Sequence, residues 1–314
     1  MKLATVLRDG RPAVAIAIDD DRRVVFLEDI LPEALSDVMS IVADSSNWMP
    51  KIARALQGAD GRSVEGLRWL PPIQRPGKIV CLALNNSANK DRIMQGPSHP
   101  ATFLKPSTSL LGHGEQIRLR SEYGRVHPEP ELVVVIGKGG VDIPKEKAYE
   151  HVFGYTILND LTSPKMRGED TFHYRAIHPK ADGSPGIEYI DSWVSYPGRY
   201  KGADGFGPIG PWITTLDAIA DPHDLTVTCR HQGEVITEDN TRNLTFKTDD
   251  VIAFVSSFMT LEAGDLIALG TALKAASKEG PGKAVQNIDL NALGGTVEVS
   301  ISSIGTLSNP VGRR

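Results

Sequence analysis

Short apolar runs bounded by glycine, proline, asparagine or aspartate recur along this chain, and they predict strands more often than helices. The first pair lies at 13–18 and 24–27, with Asp19-Asp20-Asp21 as the turn between them. Residues 35–56 instead carry helical spacing, broken around Ser45-Ser46-Asn47. A proline-rich joint at 71–77 then separates a small N-terminal domain, 1–70, from a larger one, 71–314. Past the joint, strands are expected at 78–84, 101–105, 132–136, 154–158, 212–215, 225–229, 266–269 and 295–301, and one helix at 248–259. Thirty glycines and 21 prolines spaced between short strands predict a mixed α/β, β-rich fold with a curled sheet rather than regular βαβ alternation.

The run at 132–136 is rich in β-branched residues, ends in Gly137 and reads as a buried strand. Glu129 and Glu131 stand at its entrance. If the strand extends back to Glu129, period two puts both carboxylates on one face, about 6–7 Å apart at Cα. Two unpaired negative charges beside a valine run are costly to bury, and a divalent cation neutralises them. All-oxygen ligation suits Mg²⁺, Mn²⁺ or Ca²⁺ better than zinc. A wet turn ahead of the strand accounts for the same E-x-E pattern.

Asp160 ends a second apolar strand, and Ser163-Pro164 behind it has the form of a helix start. Alone, Asp160 is a turn residue. With Glu129 and Glu131 it makes three carboxylates at strand ends, leaving half of an octahedral sphere for water and substrate. Lys201 is the lone lysine of a glycine-rich loop at 200–212. It is either a solvated loop residue or a partner for a substrate carboxylate or enolate. Thr271, after Gly270, offers a hydroxyl where a carboxylate could be held, or simply closes a turn.

Charge and composition narrow the choice of partners. A formal net charge of -5 over 314 residues gives no general attraction to nucleic acid or anionic membrane. The N-terminus has no signal-like apolar core and no run approaches membrane-spanning length, so a cytoplasmic protein is expected. Cys81 and Cys229 are expected as free thiols of a reducing compartment. Zinc-hydrolase ligand spacing, a G-x-S-x-G elbow, a P-loop and a dinucleotide fingerprint are all absent from the sequence.

Taken in order, Phe103-Leu104-Lys105-Pro106-Ser107, Glu129 and Glu131, the 154–160 strand with Asp160, the 201–212 loop, 261–265, Gly270-Thr271 and 303–309 resemble the fumarylacetoacetate hydrolase family. The likeness covers about 78–309, and 1–70 resembles the family's accessory domain. It implies a curled mixed β-sheet roll, a homodimer, and Mg²⁺, or Mn²⁺ or Ca²⁺, held by Glu129, Glu131 and Asp160. It also implies a small-molecule 2-oxo acid or 1,3-dicarbonyl substrate, as in aromatic catabolism. The leading expectation is C–C bond hydrolysis of an acylpyruvate-type compound. Hydration, decarboxylation and isomerisation on the same fold are alternatives, as is a non-catalytic metal-binding protein. Lys201 matches the family lysine near the reacting oxygens, and Thr271 the threonine that helps hold the carboxylate.

Three departures bear on mechanism. Asn89 and Arg92 stand where the family's hydrolases carry a histidine and a glutamate that activate water, and an asparagine cannot act as a base near neutral pH. Pro164 replaces a family arginine, so Arg167, three residues on and on the same helix face, is expected to bind substrate. The segment between Asp160 and Lys201 is longer than in the family. It carries His173 and His178, of which His178 is the expected replacement base, with Asp91 as another candidate.

Overall fold

The apolar strands collect into two main sheets. The structure, a computed structural model, describes every residue except 32, 34 and 274–284. Among the described residues one sheet has eleven strands and the other five. From one edge to the other the larger sheet runs Arg62–Ser63, Arg23–Phe26, Arg11–Ile18, Lys2–Arg8, Ile213–Thr215, Val152–Asn159, Pro130–Ile136, Leu266–Thr271, Ile79–Ala83 and Ala101–Lys105. Arg68–Leu70 also pairs with Lys2–Arg8. Pairing is mixed, parallel only between Leu266–Thr271 and Ile79–Ala83. The fold is therefore of the β-rich mixed α/β class, and among the described residues no sheet closes into a barrel.

Pro130–Ile136 lies deep in this sheet and is buried at every residue. A strand covered on both faces reads as a continuous apolar run, which is why its sequence does not alternate. Its side chains still alternate in space. Val133 and Val135 enter one core with Leu3, Ile16 and Ile41. Leu132, Val134 and Ile136 enter another, with Val297 and Val299 of the five-stranded sheet. The strand that carries the two glutamates is thus clamped from both sides.

Residues 1–70 share this sheet. Lys2–Arg8 pairs with Ile213–Thr215, Leu3 opposite Ile213, so hydrogen bonding runs on past the 71–77 joint. The strands expected from the sequence are present, most with ends shifted by one or two residues. Asp19, Asp20 and Asp21 do form the first turn, all with positive φ, a conformation that aspartate tolerates better than most residues. Two expectations differ in detail. The break in 35–56 falls at Asp44, between Val38–Ala43 and Ser45–Ala55, and Ser45-Ser46-Asn47 open the second helix. Asp44 accepts there from Asn47 and Trp48. The 164–202 stretch also contains a two-stranded ribbon, Thr171–Pro179 with Ile187–Ser195. Cys81 and Cys229 are buried and unpaired. No helix among the described residues is long and apolar enough to cross a membrane.

Candidate metal centre

The register of two antiparallel strands sets the site. Pro130 pairs with Asn159 and Glu131 with Leu158, so Glu129 falls opposite Asp160 at the open end of the pair. Asp160 N–H donates to the Glu129 carbonyl at 2.8 Å, and Glu129 N–H donates to Asn159 Oδ1 at 2.9 Å. On the other flank Glu131 pairs with Thr271. Gly270 N–H donates to Glu131 Oε2 at 3.1 Å. A Cβ at Gly270 would meet Asn85 Cβ at 3.0 Å, and its φ of +99° suits glycine. Carboxylate oxygens of Glu129, Glu131 and Asp160 lie within 4.8 Å of one another. Glu131 and Asp160 are each 1% exposed. Glu131 is therefore part of the core, so the wet-turn alternative does not describe it, and Glu129 is partly buried just ahead of the strand, its side chain 16% exposed.

Two lysines converge on the carboxylates. Lys201 Nζ donates to Glu129 Oε2 at 2.7 Å and to Asp160 Oδ2 at 2.5 Å, and stands 5.3 Å from the centre of the Phe103 ring. Lys105, whose side chain is fully buried, places Nζ 2.7 Å from Asp160 Oδ1. It also donates to the carbonyls of Lys201 and Phe206. Lys105 thus ties the turn that carries Lys201 to the acidic cluster. Its contact with Asp160 Oδ1 is close in distance but does not have hydrogen-bond alignment, and that oxygen has no donor. Thr162 Oγ1 donates to Glu129 Oε1 at 2.8 Å, and Thr271 Oγ1 lies 2.9 Å from Glu129 Oε2 and 3.0 Å from Glu131 Oε1.

Three carboxylates against two ammoniums leave a buried excess of negative charge, and the ionisations respond to it. Burial opposes ionisation of Glu129, but Lys201, His127 and Thr162 outweigh it and pull the group down to about 2. Glu131 moves the other way. Burial, reinforced by Asp160 and Glu129, raises it well above the ordinary carboxyl range despite Lys201. Burial works against the charge on Lys201, yet Asp160, Glu129 and Glu131 raise its pKa, so it stays an ammonium. His127, with Nδ1 3.7 Å from Glu129 Oε1, is pushed down chiefly by its burial.

These residues fit a hard divalent cation. All the donors are oxygens, the excess charge is negative, and one buried oxygen, Asp160 Oδ1, lacks a hydrogen-bond donor.

Of the site residues expected from sequence, Glu129, Glu131, Asp160, Lys201 and Thr271 come together here. Arg167 does not. Ser163 caps the helix Pro164–Glu169 through Met166 N–H, as its sequence suggests, but the Arg167 side chain is exposed and joins none of the cluster. His178 is exposed on the ribbon, paired in register with Glu188, and His173 stacks on Trp193 with ring centres 4.1 Å apart. Neither touches the carboxylates. Asn89 is 1% exposed and accepts from Arg92 at 3.3 Å, so the two residues at the family's base positions bond each other. Asp91 is exposed. Lys105, Thr162 and His127 are the site residues that the sequence did not single out. The available signal for Lys105 was a lysine closing an apolar strand ahead of Pro106.

Comparison with known proteins follows the same pattern. The family description "Fumarylacetoacetate (FAA) hydrolase C-terminal" matches residues 78–312. A mitochondrial oxaloacetate tautomerase of Xenopus laevis is 34% identical over 253 residues, 79% of this chain and 70% of that relative. An oxaloacetate tautomerase of Bacillus subtilis is 30% identical and spans 99% of this chain and 100% of its own length. Among solved structures, maleylpyruvate hydrolase from Sphingobium, in complex with manganese(II) and pyruvate, overlaps with a TM-score of 0.74 at 25% identity, covering 100% of this chain and 99% of that one.

Proposed function

The chain belongs to the fumarylacetoacetate hydrolase family, and on that premise we propose that it is a divalent-metal-dependent enzyme interconverting keto and enol forms of a small 2-oxo acid of the oxaloacetate type. The observation that carries this reading is a buried carboxylate and ammonium cluster with Asn89, not a base, at the position where the family's hydrolases activate water. Keto–enol exchange moves one proton between C3 and the enol oxygen, which solvent water carries, so it needs a stabilised enolate but no water activated for attack on carbon. Relatives of this length and identity that bear the name oxaloacetate tautomerase support the same choice.

A cation such as Mg²⁺ or Mn²⁺, held by Glu129, Glu131 and Asp160, would supply Lewis-acid stabilisation of negative charge on the substrate oxygens. The chain's own residues fix the positive charge and orient the carboxylates. Lys201, raised in pKa and fixed by Glu129 and Asp160, remains protonated and offers positive charge where the enolate oxygen develops. Lys105 holds the Lys201 turn in place through two carbonyls. Thr271 and Thr162 orient the glutamates, as hydrogen-bonded partners of ligating carboxylates commonly do.

Cleavage of an acylpyruvate C–C bond is the second reading, favoured by the full-length overlap with maleylpyruvate hydrolase. One assay separates the two. The ultraviolet absorbance of enol-oxaloacetate is followed with enzyme and Mg²⁺ against a metal-only blank, beside acylpyruvate cleavage under the same conditions. Enol decay should exceed the blank, and chelator or Glu129→Gln should abolish the excess. Enol decay equal to the blank, together with acylpyruvate cleavage, would instead make the protein a hydrolase.

A further inference from the structure

Asp239 is a buried carboxylate with no part in the proposed chemistry. It lies on Glu234–Asn240, a strand of the five-stranded sheet, and is 5% exposed. Four neutral N–H groups donate to it. Oδ2 accepts from Asn86 Nδ2 at 2.9 Å and from Leu273 N–H at 3.0 Å. Oδ1 accepts from Asn240 N–H at 2.8 Å and from Asn243 Nδ2 at 2.6 Å. Burial works against its ionisation, but these donors outweigh it and hold the group below the ordinary carboxylate range. An ion kept in the core is costly, and it fixes the groups that donate to it.

What Asp239 fixes is the backbone on both sides of Thr271. Leu273 lies two residues beyond it. The Asn86 amide that reaches Asp239 also donates to the Thr271 carbonyl at 3.2 Å. Its neighbour Asn85 donates to the Leu269 carbonyl at 2.8 Å, so two adjacent asparagines bracket Gly270-Thr271. Between these anchors, Ala272 N–H donates to the Pro130 carbonyl at 3.0 Å and ties the segment to the strand of the glutamates. A β-branched side chain on a fixed backbone has few places to turn. The Thr271 hydroxyl is held between Glu129 Oε2 and Glu131 Oε1, at 2.9 and 3.0 Å.

We propose that Asp239 is a positioning residue of the metal centre: through Leu273 N–H and Asn86 it holds Thr271 where its hydroxyl sets the Glu129 and Glu131 carboxylates for a divalent cation. Asp239 bonds none of the three carboxylates itself and acts through Thr271. Its two oxygens do different work. Oδ2 reaches the metal centre, whereas Oδ1 braces its own turn at Asn240 and Asn243. The role presupposes that Glu129, Glu131 and Asp160 hold a cation, but not which reaction follows.

Manganese(II) alone is the probe. Full-length protein is titrated with Mn²⁺ without substrate, the free ion is read from its electron paramagnetic resonance signal, and Tm in chelator is recorded for each variant. Asp239→Ala should weaken Mn²⁺ binding about 10-fold, as loss of a group supporting ligating carboxylates does. Asn243→Ala removes a donor to Oδ1 but spares both Oδ2 bonds, so it should lower Tm and leave Mn²⁺ affinity unchanged. Thr271→Val should itself weaken binding, and adding Asp239→Ala to it should cost nothing more, because the route runs through that hydroxyl. Asn86→Ser keeps an oxygen for Ala88 N–H but has no amide. It should weaken Mn²⁺ binding too, and it decides the matter if Asp239→Ala does not fold. Unchanged affinity in Asp239→Ala or Asn86→Ser, an equal loss in Asn243→Ala, or an undiminished effect of Asp239→Ala beside Thr271→Val would each overturn the proposal and leave the metal site standing. A wild type that binds no Mn²⁺ would overturn the metal site and this role together.

Discussion

Glu131→Gln should stabilise the metal-free protein, because of the protons available at Thr271. Its hydroxyl carries one proton but lies 2.9 Å from a Glu129 oxygen and 3.0 Å from a Glu131 oxygen. With both carboxylates ionised, one contact lacks a proton. A proton on Glu131 Oε1 completes the chain: Glu131 donates to Thr271, and Thr271 donates to Glu129. Glutamine reproduces that state, its amide N–H₂ donating to Thr271 and its carbonyl accepting from Gly270 N–H, which already bonds Glu131.

The sign follows from the direction of the shift. Glu131 is raised in the folded protein by its burial and by Asp160 and Glu129. Its contribution to stability is therefore fully present below the unfolded value, about 4.3, and is lost as pH rises through the folded value. Glutamine does not titrate and loses nothing. The gap between variant and wild type should grow by about 1.4 kcal/mol for each pH unit between the unfolded and the folded value, and each such step should raise the variant's Tm over the wild type's by roughly 2–4 °C. Calorimetry in chelator from pH 5 to 8 reads it directly. Added Mg²⁺ should then stabilise the wild type by about 2.7 kcal/mol at one hundred times Kd and leave the variant unmoved. A variant equal to or less stable than wild type at every pH in chelator would refute the proton argument. An unchanged response to Mg²⁺ would remove Glu131 from the metal site.

Lys105→Met removes one of the two cations from a cluster of three buried carboxylates. It should destabilise the metal-free protein by about 3–5 kcal/mol, with part of the loss recovered on adding Mg²⁺; equal Tm values in chelator would show that Lys105 does not balance this charge. His178→Ala should keep kcat/KM for oxaloacetate within about twofold, since the exposed ring touches no part of the centre, whereas a loss of about 10²–10⁴ would make it the base. Arg167→Gln should likewise leave KM unchanged, because its side chain is exposed and apart from the carboxylates; a several-fold rise in KM would return Arg167 to the substrate site.

The strands and the acidic residues were legible in the sequence because both depend on local pattern. A valine-rich run with glutamates at its entrance needs only period two and the penalty for buried charge to suggest a shared cation. Ser163 and Pro164 announced their helix start by the same local chemistry. What gathers around the carboxylates was not local. Lys105 reaches Asp160 from a strand at the sheet edge, Lys201 from a turn beyond the ribbon, and Thr271 from the strand on the other flank of Glu131. Only strand order and register bring those residues within 3 Å. Arg167 and His178 show the converse. Their nearness to Asp160 along the chain made them candidates, but the short helix turns Arg167 to solvent and the ribbon carries His178 away. The ribbon was hard to foresee because its apolar residues alternate across two faces without a core beneath either one. Sequence pattern reports which residues avoid water, and tertiary structure decides whether the same chain is what covers them.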